Sequence, residues 1–444
     1  MKRDASRSSR KDAMHCVVVS AVFPPEFNAS ATGSADIAAA LSACGHSVTV
    51  LAPFPNRPAG RVHQGYRRTL YKKSHSKQGY TTVHCWATLA PRSTMFSRLL
   101  ENISFGISSA IRVLCTRHID VIYANTWPLF AQVLLVMAAA VRGVPVVLCI
   151  QDVYPESLIS QHRITAFGVL ARMMTWLDRN VCKRAAAVVV VSRSMLRIYE
   201  ERRGIEHSRI HLIRNWGETS SLNDGPDGAA FRAKHNIPAD AFVALYGGNV
   251  GPAAGADLLV RGCSRLSDLK GFYLVIAGSG SQLDECRWTA RQMACERVVF
   301  HSPWLSAETT EVLAAADVLL LPTRGEQALA SMPSKLISYL MADKPVIALV
   351  HPESESAEII RSAEAGWVTS PDDEEALAEC IRSVSELDPK LLRERGSNGR
   401  SFALTNLSRD ANLPKMIDLI FKAAGNSSRP ADVCETMVRC EKQR

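Results

Sequence analysis

The chain of 444 residues is predicted to be an α/β protein of two domains, each built on a doubly wound, largely parallel sheet. Three observations predict it. Short apolar, β-branched runs (His15–Ser20, Val144–Ile150, Phe242–Tyr246, Phe272–Ala277, Asp317–Leu321) alternate with segments of helical period, the pattern of strands covered on both faces. The length exceeds the roughly 250–300 residues at which one hydrophobic core stops growing. A polar stretch at 217–228, GETSSLNDGPDG, separates two such series and reads as a linker.

Taken in order, residues 1–13 are basic and Ser-rich and are expected to be a disordered lead, since the apolar run after them is too short for a secretory h-region. Domain one is placed at 14–215, with strands near 15–20, 47–52, 119–124, 145–150, 187–191 and 210–213. Its helices are placed near 32–43, 97–115, 127–141, 163–182 and 194–202. Residues 53–80 hold seven Lys/Arg and little apolar period, so a long exposed loop is expected. The linker is set at 216–230 and domain two at 231–399. Strands are expected near 242–246, 272–277, 297–300, 317–321, 345–350 and 366–369, alternating with helices from 255 to 386. A C-terminal helix at 400–423 and a polar tail at 424–444 complete the reading. Two such units leave a cleft at the C-terminal edges of their strands, where open α/β sheets bind ligands.

Composition narrows the function. Residues 1–215 carry 28 Lys+Arg against 12 Asp+Glu, while 216–444 carry 24 against 31. A basic domain beside an acidic one points to a polyanionic partner for the first, such as an anionic membrane surface or a lipid diphosphate. Nucleic acid is not expected, because no helix-turn-helix, zinc spacing or basic-aromatic repeat is present. No apolar run reaches the roughly 18 residues needed to span a bilayer. Twelve scattered cysteines without C-x-x-C pairs fit reduced thiols and a cytoplasmic location. The histidines are dispersed, so no metal is expected, and no G-x-S-x-G elbow is present.

The most informative segment is Asp317–Val350. An apolar strand ends in Pro322, a loop carries Arg324 and Gly325, and a helix is expected to start at Met332-Pro333-Ser334-Lys335 with proline in its first turn. Free N–H groups, the positive end of the helix dipole and Lys335 converge there on a place for a pyrophosphate. Two glycine corners follow buried strands: Gly247-Gly248-Asn249-Val250-Gly251 and Gly278-Ser279-Gly280. Glycine at such ends lets backbone turn sharply and approach a ligand. After Ile150 stand Asp152 and Glu156, two carboxylates poised to accept a hydroxyl hydrogen bond or proton; capping and surface roles are the alternative readings of the pair.

At these residues the sequence resembles the family 4 glycosyltransferases of GT-B architecture, nearest to the colanic-acid and fucosaminyl-transferase-like enzymes of bacterial surface polysaccharide synthesis. The likeness spans about residues 15–385. In the first half it rests on Phe23-Pro24-Pro25-Glu26, on Gly45–Leu51 with Phe54-Pro55-Asn56, and on Gln151-Asp152 with Tyr154–Ser157. In the second it rests on Asn215-Trp216, Gly248–Gly251, Pro333-Ser334-Lys335 and Lys344–Ile347. The resemblance implies two Rossmann-like domains facing each other across a cleft. It implies transfer of a sugar from a nucleotide diphosphate sugar, used as co-substrate without any cofactor, to a lipid-linked or saccharide acceptor in capsule, O-antigen or exopolysaccharide assembly. Retention of configuration, independence of metal and a peripheral position on the cytoplasmic membrane face are part of the same expectation, with the basic loop 57–77 meeting the leaflet.

The expected catalytic residues are Asp152, Glu156 and Lys335. The expected donor-binding residues are Gly248, Asn249, Gly251, Gly278, Gly280, Arg324, Pro333, Ser334, Ser338 and Asn215. Two positions depart from the family. Ser338 stands where a ribose-gripping Glu is usual, and a neutral hydroxyl bond is worth about half a charge-assisted one; Glu326 or Glu358 is a substitute by position. Val250–Gly255 lacks a phosphate-binding lysine, which shifts weight to Lys335. A nucleotide-sugar 2-epimerase and a non-catalytic scaffold are the rival functions.

Overall fold

The computed structural model describes residues 13–26, 29–57, 59–89, 91, 94–125, 129–160, 163–217, 228–324 and 333–425. They form two compact units, one running to Asn215 and resumed from Asn412, the other from Trp216 to Ala411.

The first unit is built on an eight-stranded sheet. Its strands are β1 (His15–Ser20), β2 (Ser47–Pro53), β3 (Tyr71–His75), β4 (Thr81–Cys85), β5 (Val121–Asn125), β6 (Val146–Ile150), β7 (Ala187–Val190) and β8 (Ile210–Leu212), ordered β3-β4-β2-β1-β5-β6-β7-β8. Every pairing is parallel except β3 with β4. Strands β5, β6 and β7 are buried along their whole length, as continuous β-branched runs require in a sheet covered on both faces. The main helices are α1 (Ala29–Ala43), α2 (Met95–Cys115), α3 (Leu129–Arg142) and α4 (Val169–Arg184). A capping box at Thr94 and Ser97 starts α2. The helices α2, α3 and α4 lie side by side. A Cβ on Gly106 of α2 would lie 2.8 Å from the Ala131 Cα of α3, so these two backbones meet closely.

The expected loop at 53–80 is corrected by this sheet. Residues 71–75 form β3, an edge strand with all five residues exposed, paired antiparallel to a strand β4 that the sequence reading also missed. Exposure on both faces removes the alternation that announces a strand.

The second unit has β9 (Phe242–Gly247), β10 (Phe272–Ala277), β11 (Val298–His301), β12 (Val318–Pro322), β13 (Val346–Leu349) and β14 (Gly366–Thr369), all parallel, in the order β11-β10-β9-β12-β13-β14. Chain order reverses between β9 and β12, which makes the C-terminal ends of these two strands the switch point where such sheets bind ligands. Its helices are α5 (Ala256–Ser264), α6 (Leu283–Gln292), α7 (Ser334–Met341), α8 (Glu355–Ser362), α9 (Glu374–Ser385) and α10 (Pro389–Asn406), after which α11 (Arg409–Ala423) returns the chain to the first unit. One apolar cluster lies on each face of the sheet. The single helix expected at 400–423 is two, because the Ser408 hydroxyl accepts from Ala411 N at 3.1 Å and caps a new start. Gly396 and Gly399 let α10 pack tightly: Cβ atoms there would fall 2.3 Å from the Asp343 carbonyl and 2.9 Å from Leu340.

Candidate active site

At the end of β9 the chain turns through Gly248, whose φ of +141° belongs to glycine, and a Cβ there would lie 2.3 Å from Lys335 Cε. The glycine therefore makes room for the lysine stem. Lys335, on the first turn of α7, sets its ammonium 4.2 Å from the centre of the Tyr246 ring and donates to the Tyr246 hydroxyl, which in turn donates to Asn249 O at 2.7 Å. Tyr339, one turn further along α7, accepts from Gly247 N at 2.8 Å and donates to Gly247 O at 3.0 Å. The helix is thus fastened to the glycine corner by two tyrosines that sequence reasoning missed. Their signal was weak: Tyr246 closes a buried strand, and Tyr339 follows Lys335 at i+4.

The lysine is half-buried, and burial alone brings its ammonium from 10.5 down to about 8; among the described residues no carboxylate pairs with it. A desolvated cation with only a phenol for company is a site that an anion completes. The surrounding backbone fits the same reading. Pro333 is the N-cap of α7 rather than its first residue, a small correction, and makes no side-chain cap, so the first-turn N–H groups of Ser334 and Lys335 are open. The N–H groups of Asn249 and Gly251 have no acceptor among the described residues. Ser338 is exposed on the same side of α7 as Lys335.

The second glycine corner serves the first. Val250 N donates to Ser279 O at 3.0 Å and Gly278 N to His301 O at 2.9 Å. Cβ atoms on Gly278 and Gly280 would stand 1.9 Å from Gly248 O and 2.2 Å from Val250 O. Gly278 and Gly280 are required by this close backbone contact.

Three expected site residues are engaged elsewhere. Arg324 is bound to the buried Asp257 carboxylate, which Arg261 shares at 2.8 Å, with Asp372 3.9 Å away, so its charge is partly offset and it clamps the first turn of α5. Glu156 accepts from Arg203 at 2.6 Å. That guanidinium, 2% exposed, also binds Asp178 at 2.8 Å and Tyr154 O at 3.0 Å, and Tyr199 donates to Asp178. The network is structural: burial lifts the Asp178 carboxyl to about 6 against the opposing pull of Arg203. Asn215 exchanges amide hydrogen bonds with Gln151, 2.9 and 3.3 Å long, within the first unit, and is not gathered with the glycine corners of the second. Of the two substitutes for the ribose-gripping Glu, Glu326 falls outside the described residues, while Glu358 sits on α8 beside Pro352 and Arg361.

Asp152 is different. It follows β6 and lines a cavity of about 410 Å³ in the first unit. Burial raises its carboxyl above the ordinary range, and among the described residues no cation pairs with it. Met95, Leu99, Phe130 and Met174 give the cavity an apolar wall, and Arg57, Arg98 and Arg163 supply charge. Arg57 and Arg98 share the buried Glu101, at 3.3 and 2.7 Å.

Two doubly wound α/β units with largely parallel sheets match the GT-B class of glycosyltransferase. Residues 28–216 match the glycosyl transferase 4-like domain and residues 241–386 match the glycosyl transferases group 1 domain, and the chain belongs to the glycosyltransferases built from this pair. It is 28% identical over 332 residues to the probable glycosyltransferase WbjE of Pseudomonas aeruginosa, covering 73% of this chain and 81% of that one. It is 24% identical over 413 residues to the putative colanic acid biosynthesis glycosyl transferase WcaI of Escherichia coli K12, covering 91% and 99%. The fold is shared with Anabaena HepE, solved with UDP and glucose, at a TM-score of 0.65 and 17% identity over 91% of this chain and 98% of that one.

Proposed function

We propose that this glycosyltransferase takes a hexosyl or aminohexosyl group from a nucleoside diphosphate sugar held by the second unit, and delivers it to a lipid-linked saccharide in cell-surface polysaccharide assembly. The observation that carries the reading is Lys335, a buried ammonium without a carboxylate, set against Gly248 at an uncapped helix start. The relatives WbjE and WcaI support the reaction class, and the UDP in HepE supports the donor class. The C1–O bond to the diphosphate breaks and a C1–O bond to the acceptor hydroxyl forms, with retention at C1. Asp152 accepts the hydroxyl hydrogen bond, and the proton passes to it or to the departing diphosphate. Lys335 and the open amides offset the charge that grows on the leaving group, so the reaction runs without metal. The protein works peripherally on a membrane.

A thermal-shift screen of nucleoside diphosphate sugars tests the donor site, since a ligand at a hundred times its dissociation constant adds about 2.7 kcal/mol. Transfer to acceptor that persists in chelator supports metal independence, and activity restored only by added divalent cation overturns it. The engagement of Arg324 by Asp257 favours a weakened homologue as the second reading, which turnover below the uncatalysed donor hydrolysis rate would establish.

A further inference from the structure

Helix α2 is apolar on its solvent side as well as toward the core. Of its exposed large apolar residues, Phe96, Leu100, Ile107, Ile111 and Leu114 fall within about 60° of one another around the axis at 3.6 residues per turn, and Met95 at the helix start stands outside this stripe. Its buried face carries Phe105 and Val113 together with the small residues Gly106, Ser108, Ser109 and Ala110. Ser108 and Ser109 satisfy their hydroxyls on Phe105 O. The small residues allow the close approach to α3, and a second apolar stripe, of large residues, is left in solvent, where an ordinary surface helix is polar.

The neighbouring helices continue the pattern. On α3, Met137 and Val141 are 59% and 79% exposed. On α4, Val169, Met173 and Trp176 recur at i, i+4 and i+7, with Val169 83% and Trp176 62% exposed. Trp288, Met293, Leu305 and Leu404 are the exposed large apolar residues of the second unit among those described; the rest belong to the first. A patch so extensive is not the scattered exposure of a soluble surface.

Charge identifies what covers it. The three helices contain two carboxylates, Glu101 and Asp178, and both are buried and bound to arginine. Exposed Arg172, Arg179, Lys183 and Arg184 lie along α4. Strand β3, whose Tyr71 hydroxyl donates to Ser108 O, sets exposed Lys72 and Lys73 beside α2. An apolar stripe with basic margins and no exposed carboxylate fits the interface of an anionic bilayer, where apolar side chains enter the headgroup boundary and long cationic ones reach the phosphates. No helix among the described residues is long and apolar enough to cross a membrane.

We infer that the outward face of α2, α3 and α4 is a docking surface for anionic phospholipid. The inference assigns a surface to the membrane association proposed above and corrects its place, since the expected loop 57–77 is partly held inward: Arg57 pairs with Glu101, and Arg68 donates to Ala87 O and stacks on Trp86. Met95 and Leu170 of the Asp152 cavity belong to these helices, so an acceptor carried in lipid has its cavity beside the docking face.

The test is flotation of the full chain with vesicles of phosphatidylethanolamine and about one-third phosphatidylglycerol, with purely zwitterionic vesicles as the second arm. Wild type floats with the anionic vesicles, and the double substitution Ile107→Glu/Ile111→Glu lowers the partition at least about tenfold. Trp288→Glu, on the second unit, leaves it unchanged. Trp176 emission shifts to the blue on binding, read as the difference from Trp176→Phe. Three results overturn the inference: equal flotation of the double variant, loss only in Lys72→Glu/Lys73→Glu, or a dimer of the chain that hides Trp176 without vesicles. The nucleotide-induced thermal shift reads the second unit alone, so its failure bears on the donor reading, while failure to float bears on this face.

Discussion

Replacing Lys335 by Met keeps the length of the stem and removes the charge, and the structure predicts opposite effects on stability and on binding. In the free fold the charged ammonium is penalised by burial, as its fall from 10.5 to about 8 records. At 1.36 kcal/mol per pH unit this is ~3 kcal/mol at neutral pH. Against it stands the hydrogen bond of the charged ammonium to Tyr246, worth roughly 1.5–3 kcal/mol. Lys335→Met is therefore expected to leave the nucleotide-free second unit at least as stable as wild type, by up to about 1.5 kcal/mol, a rise of roughly 2–4 °C for each kcal/mol in a domain of this size. The sign carries a pH signature: the folded pKa lies below the unfolded value, so wild type gains stability as pH rises from about 8 toward 10.5, and the variant does not. Binding should move the other way, because a hydrogen bond to a charged group contributes roughly 1.5–3 kcal/mol, about 10- to 150-fold in dissociation constant. Differential scanning fluorimetry with and without UDP reads both numbers in one titration. A variant that melts below wild type and still responds fully to the nucleotide would refute the argument.

Four further outcomes follow from the same geometry. Donor affinity should be flat below about pH 8 and weaken toward tenfold per pH unit above it, since binding must then supply a proton to Lys335; calorimetric dissociation constants equal at pH 7 and 9 would sink this. Asp152→Asn should keep or raise stability, because burial disfavours its charge, while transfer is lost. Glu156→Gln should lower stability, by up to ~3 kcal/mol, through the buried Arg203, and leave most transfer; the reverse pattern in a paired activity and urea-unfolding assay returns the catalytic role to Glu156. Gly278→Ala places a Cβ 1.9 Å from Gly248 O at a φ of +137° and should cost the second unit more than about 3 kcal/mol. Gly271→Ala, with nothing within 4 Å at a φ of +77°, should cost only about 1 kcal/mol, and equal urea midpoints for the two would contradict the corner packing.

Local pattern was enough for the buried strands that read as continuous apolar runs, such as Val146–Ile150 and Phe272–Ala277, and not for β4, whose Thr81-Thr82-Val83-His84-Cys85 is mostly buried but carries polar residues. It was enough, too, for the helix start at Lys335 and for the glycine corners, where the residue type itself states the backbone requirement. It failed for β3, whose exposed residues alternate with nothing.

What only the tertiary structure decided is which charged groups are at liberty. Asp152 and Glu156 stand four residues apart and look alike in sequence, yet one lines a cavity with no ion pair of its own among the described residues and the other is bound by an arginine from 47 residues away. Lys335 and Arg324 both read as candidate phosphate ligands, with more weight on Lys335, until Asp257, 67 residues from Arg324, is seen to hold Arg324. The outward apolar stripe of α2 was likewise invisible, because periodicity shows that a helix has an apolar side and not which way that side faces. Ion pairing and facing are set by long-range contacts, and spacing along the chain carries no record of them.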